Sequence, residues 1–277
     1  FLPPPPAPLP GGAPPLPPGV PHTLVAAQVV LAPTAASPYA RGALPPSRSP
    51  RGIYGQKKEQ AVIPIQTIQS TAEVLMDKAA IEIPQDYLDG LQQAARTEDG
   101  DLSSFVLKAM LDNYEAAKED RRAMCGDTGV PRWFVKMGNE ASVEGGMVAL
   151  EAALRRATAN ATNGVPLRPN RVHPLWRTDH DNNVGIGAPE IEYGFEPEGA
   201  WIDLITVHKG GLFGTDYRML FPSDGIQGIK RFYLDTLMAF GKRGLACQPA
   251  IIGIGLGGSK DICMTLGKRA SLLRTVG

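Results

Sequence analysis

Apolar and polar positions change rhythm along the chain, and each rhythm predicts a different kind of element. From residue 61 the spacing is helical. A first helix is expected through Val74, Leu75 and Ala79 with Thr71 as its cap, and a second opens at Pro84 with Tyr87, Leu88, Leu91 and Ala95 on one side. Between 102 and 118, Phe105, Val106, Ala109, Met110, Tyr114 and Ala117 recur at helical intervals, predicting a third helix with one buried stripe. Beyond 124 the rhythm mixes. Trp133-Phe134-Val135 reads as a strand, 145–161 as a helix, and 200–207 as a strand ending in Lys209-Gly210-Gly211. Ser223 or Asp224 caps the most regular helix, with Ile226, Ile229, Tyr233, Leu237 and Phe240 on one face. A short strand at Ala250-Ile251-Ile252, a glycine turn at 253–258 and a closing helix at 259–273 follow. The fold class is therefore mixed α and β, a helical N-terminal layer packed on a small mixed sheet.

Residues 1–58 keep neither rhythm. They hold most of the 26 prolines, in runs such as Pro3-Pro4-Pro5-Pro6, and no acidic residue precedes Glu59. A disordered or polyproline II leader is expected, followed by one folded domain at 59–277. Arg41, Arg48 and Arg51 in this acid-free stretch suit an organelle transit peptide, but no amphipathic helix accompanies them. The expected location is the cytoplasm, with organelle targeting as the alternative.

Composition narrows the function by exclusion. With Lys+Arg and Asp+Glu both at 28 and no local basic stripe, nothing points to nucleic acid. Apolar runs such as 24–30 and 250–256 fall far short of the roughly 20 residues that cross a bilayer. Three cysteines set far apart do not make a disulfide framework and fit a reducing compartment. They lack the paired spacing of structural zinc sites. His22, His173, His180 and His208 share no ligand spacing, and no G-x-S-x-G nucleophile motif is present. His208 stands at a strand end, where it could reach a ligand or simply be a satisfied histidine.

Two local features carry chemistry. The run Gly253-Ile254-Gly255-Leu256-Gly257-Gly258 fits a dinucleotide fingerprint after a strand and before a helix, but no second strand with an acidic end follows. The alternative is close packing at that junction. The sharper feature is the cysteines: Cys125 heads the glycine-rich turn Cys125-Gly126-Asp127-Thr128-Gly129, and Cys247 precedes Gln248-Pro249, both at loop junctions where a thiolate can face a cleft. Cys263, near Ile262 and Leu266, reads as an inert helix cysteine filling an apolar face.

Taken in order, Cys125-Gly126-Asp127-Thr128-Gly129, Pro166-Leu167-Arg168-Pro169-Asn170, Lys209-Gly210-Gly211 and Ala246-Cys247-Gln248-Pro249 resemble the motifs of the class I fumarases, and more closely the alpha subunit of two-chain L(+)-tartrate dehydratases. The similarity covers about 65–277 and includes the lead-in Ala79-Ala80-Ile81-Glu82-Ile83-Pro84. It implies a 4Fe–4S cluster held by three cysteines, two of which match Cys125 and Cys247. It implies hydration or dehydration of a small dicarboxylate, L-tartrate to oxaloacetate or malate to fumarate. Asp127, Arg168, Gly210 and Gly211 fall in the substrate pocket, with Arg168 as the carboxylate clamp. The catalytic base is expected on a separate beta subunit and none on this chain. The family's third cysteine comes later than the matched segments, so the domain is expected to be truncated at its C-terminus, unless Cys263 takes that role. Gly126 and Gln248 stand where the family has Gln and Pro. The alternatives are a non-catalytic assembly chain of the same fold, with an incomplete cluster site, and a nucleotide-binding module using the 253–258 turn.

Overall fold

The computed structural model describes the backbone of residues 25–31, together with residues 61–164, 167–178, 182–210, 215–243 and 249–276, the side chain of Lys209 apart. Helices α1 (Ile65–Ile81), α2 (Gln85–Thr97) and α3 (Asp101–Asp120) follow one another, as the helical spacing predicts. Pro84 stands at the entrance of α2. Pro64 does the same for α1, so that helix starts ahead of Thr71, which lies inside it and caps nothing. A proline suits both places because the first helical N–H groups have no partner within the helix.

Four strands form the main sheet: β1 (Val25–Leu31), β3 (Val130–Gly138), β5 (Glu190–Glu196) and β6 (Ile202–Lys209), in the order β1-β6-β3-β5. β6 runs antiparallel to both β1 and β3, while β5 runs parallel to β3. A two-residue parallel ladder joins β2 (Val62–Ile63) to β4 (Ser142–Val143). At 25–31 alone the chain departs from the expectation of a leader without regular structure, for β1 is most of the apolar run at 24–30 and β6 offers it an edge; the rest of 1–58 lies outside the described residues. β5 is a strand that the sequence reading missed. Its glutamates alternate with Ile191, Tyr193 and Phe195, and Glu190 and Glu192 hold the Arg132 guanidinium of β3 at 2.5 and 2.9 Å.

Alternation along the strands sorts the two faces of the sheet. Trp133, Val135 and Met137 of β3 and Ile202 and Leu204 of β6 point toward α1 and α4 (Gly146–Gly164). With Ile68, Leu75, Met76, Leu150 and Leu154 they make the main core, all but Met137 essentially sealed from solvent. Phe134 and Val207 face the other way and meet Leu272 near the end of α6 (Lys260–Leu273). A small cluster of Leu91, Leu107 and Met110 joins α2 to α3. The buried stripe of α3 is Leu107, Met110, Tyr114 and Ala117; Phe105 and Ala109, expected within it, are exposed.

The C-terminal elements depart further from expectation. α5 (Gly225–Lys242) forms behind Asp224, yet none of its residues is buried, and Ile226 and Leu234 are 69% and 55% exposed. Ala250-Ile251-Ile252 is not a strand, and among the described residues no strand pairs with it. The glycine turn is instead packed on α6. A Cβ on Gly253 would overlap the Gly267 carbonyl oxygen, and one on Gly255 the Cys263 carbonyl oxygen. Close packing is thus what Gly253 and Gly255 serve. Among the described residues no helix is long and apolar enough to cross a membrane.

Candidate active site

Sheet register brings the first two motifs together. Val130, the first residue of β3, pairs with Lys209, the last of β6, so the turn before β3 must lie beside the glycine after β6. The contact is close: a Cβ on Gly210 would sit 2.9 Å from Asp127 Oδ2, and any larger side chain would push that carboxylate away. The 125–129 turn is also pinned from behind. Met124 donates its N–H to the Ala80 carbonyl at the end of α1 (3.1 Å) and accepts from Asn113 Nδ2 of α3 (2.8 Å). Gly129 has φ +82°, a left-handed conformation that explains glycine at that point.

The third motif is fastened to this turn by polar side chains. Arg168 donates its backbone N–H to Thr128 Oγ1 at 2.9 Å, and Asn170 Nδ2 donates to Thr128 Oγ1 at 3.3 Å and to the Gly129 carbonyl at 2.9 Å. Asn183, wholly buried, accepts the Asn170 N–H at 2.9 Å and donates to Thr162 Oγ1 of α4 and to the Arg168 carbonyl, at 3.1 and 3.2 Å. Arg168 itself is exposed, and its guanidinium has no partner among the described residues. Asp127, Arg168 and Gly210 therefore belong to one locality, a link that spacing in the sequence does not reveal. Gly211 and Cys247 lie outside the described residues.

Cys125 is half-buried, and its sulfur accepts the Asp127 N–H at 3.4 Å. An added Cβ on Gly126 meets nothing within 4 Å, so open space lies where the resembled family carries a glutamine side chain. Cys263 is not the buried apolar filler expected. It is half-buried on α6 beside Ile262 and Leu266, 50% and 45% exposed, and its thiol donates to the Lys260 carbonyl at 3.3 Å. Among the described residues no three His, Cys, Asp or Glu side chains converge closely enough to hold a metal ion.

His208 is the residue whose importance the sequence left undecided. It shares the parity of Ile202 and Leu204, faces the end of α1, and is 3% exposed. With Ala79, Ala80, Ala123, Met124, Cys125, Asp127 and Thr128 it lines a cavity of about 10 Å³. Neither ring nitrogen finds a hydrogen-bond partner among the described residues. Burial pushes its pKa down to about 4, so the ring is neutral at pH 7.

Comparison with known proteins points the same way as the motifs. The family described as Fumarate hydratase (Fumerase) matches residues 69–277. The chain is 39% identical over 208 residues to "Putative L(+)-tartrate dehydratase subunit alpha" of Methanocaldococcus jannaschii, covering 73% of this chain and 71% of the relative. It is 28% identical over 217 residues to the L(+)-tartrate dehydratase subunit alpha of Escherichia coli O157:H7 and 27% identical to that of Escherichia coli K12, covering in each case 76% of this chain and 70% of the relative. With a family match spanning nearly all of the described helices and strands after β2, the chain belongs to the class I fumarate hydratase (Fumerase) family of hydro-lyases.

Proposed function

We propose that the chain is the alpha subunit of a 4Fe–4S-dependent hydro-lyase, which adds water to or removes it from a small 2-hydroxy dicarboxylate together with a beta subunit carrying the catalytic base. L-tartrate is the first substrate to test, because the relatives compared are named for it; malate and fumarate are the second. The observation that carries this reading is the meeting of three segments distant in sequence: 125–129 and 167–170 through Thr128, Asn170 and Asn183, and Gly210 through its close approach to Asp127. The folded domain of 59–277 takes β1 as an added strand of its sheet, and its thiols suit a reducing cytoplasm.

The described residues fit one corner of a cluster site. Cys125 offers a sulfur already acting as a hydrogen-bond acceptor, in a turn anchored to α1 and α3, beside space that a Gly126 side chain does not fill. Cys247 would be the second ligand. When bound, a cluster with one open iron supplies a Lewis acid to a substrate hydroxyl. The chain's own residues supply orientation. Arg168, with a free planar fork, takes a substrate carboxylate in two parallel hydrogen bonds. Gly210 leaves the Asp127 carboxylate room at the pocket wall, Gly211 is assigned to the pocket by the family resemblance, and the proton on carbon is left to the partner's base.

Anaerobic co-expression with the beta subunit tests the reading. A brown complex that turns over tartrate or malate is expected, and Arg168→Ala should raise KM by about 10- to 100-fold, the scale of a lost charged hydrogen bond. A colourless, inactive complex would end it.

A further inference from the structure

We infer that His208 is a positioning residue for the 125–129 turn, acting through one buried water that it holds against the Cys125 sulfur. A neutral imidazole carries one N–H and one lone pair, and buried polar groups of a folded chain nearly always find partners. Both ring nitrogens of His208 lack one among the described residues although only 3% of the residue is exposed. The ring borders a cavity of about 10 Å³, the scale of a single water, and a water needs two to four polar partners. Of the residues lining it, four are polar: His208, Cys125, Asp127 and Thr128. The remaining wall is Ala79, Ala80, Ala123 and Met124, which offer a water no side-chain partner.

The directions of the bonds follow from the donors. His208 gives its N–H to the water oxygen, and the water gives one hydrogen to the sulfur, which already accepts the Asp127 N–H at 3.4 Å. His208 is fixed by its place in β6, a central strand held between Val25 and Pro131, so the water inherits the rigidity of the sheet. The consequence rests on the proposed role of Cys125 as a cluster ligand. Hydrogen bonds to a ligating sulfur draw charge from it and raise the reduction potential of the cluster.

Two measurements on the complex with its beta subunit test this, one independent of any cluster. A high-resolution crystal structure should show one water within hydrogen-bond reach of both His208 and the Cys125 sulfur; a dry cavity, or a histidine turned away, would overturn the inference. In the anaerobic brown complex, His208→Leu should shift the reduction potential to a more negative value, and His208→Gln, which keeps a donor, should restore most of it. Equal potentials in wild type and both variants would also overturn it. A colourless complex refutes the proposed function alone, since the water is read from the crystal.

Discussion

α1 and α5 are 17 and 18 residues long and both carry an apolar face, yet α1 buries Ile68, Ala72, Leu75, Met76, Ala79, Ala80 and Ile81 whereas α5 buries nothing. α1 lies against α4, β6 and β1; among the described elements α5 packs chiefly on the short turn Pro222–Asp224 that leads into it. The difference separates two things that periodicity blends. Spacing of apolar residues decides that a helix forms, and a second surface decides whether the face is buried. Stability should accordingly be concentrated in the sheet with α1 and α4, and little of it in 215–243.

The strongest way to break that comparison is a pair of truncations. Trp133→Ala removes a fully buried ring whose Nε1 donates to Thr158 Oγ1 at 3.1 Å, and should cost about 3–5 kcal/mol in urea unfolding. Leu237→Ala on α5 should cost below about 1 kcal/mol. Similar losses for the two would show that α5 is as firmly packed as the core.

Acid sharpens the contrast next. His208, entombed in the packed half, has its pKa lowered from 6.5 to about 4. Between those values the unfolded chain binds the proton and the folded chain does not, so stability is whole above pH 6.5 and falls as pH drops toward 4, by about 3 kcal/mol. Unfolding of wild type and His208→Gln across this range checks it. The variant should lack that part of the fall.

The smallest effect compares polar pins. Asn183→Ala strands the Asn170 N–H and the Arg168 carbonyl and should cost about 1–3 kcal/mol. Asp235→Asn breaks an exposed ion pair with Arg218 at 3.8 Å on α5, and thermal unfolding should register under about 1 kcal/mol.

Much of the packed half was legible because its signals are local. Pro84, the Trp133-Phe134-Val135 run and the glycines after β6 each announce an element or its end. What stayed hidden depends on neighbours. β5 alternates plainly, but its glutamates become strand residues through Arg132 and Arg269, the latter 2.5 Å from Glu192. Ala250-Ile251-Ile252 has a strand's composition without a strand's partner. In the site, the motif residues were visible as types, while Thr128, Asn170 and Asn183, which tie them together, are ordinary polar residues until the backbone folds. His208 could be placed at a strand end; which side of the sheet it faces, and that α1 closes over it, could not.

β1 gives the proline-rich segment a physical task. It occupies the ladder positions that β6 would otherwise turn outward, from Val25 opposite His208 to Leu31 opposite Ile202. Because β1 is the outermost strand on that side, the open row of N–H and C=O groups lies on β1 and not on β6. What reads as a leader thus also works as a selvedge, setting β6 and its His208 one strand in from the margin.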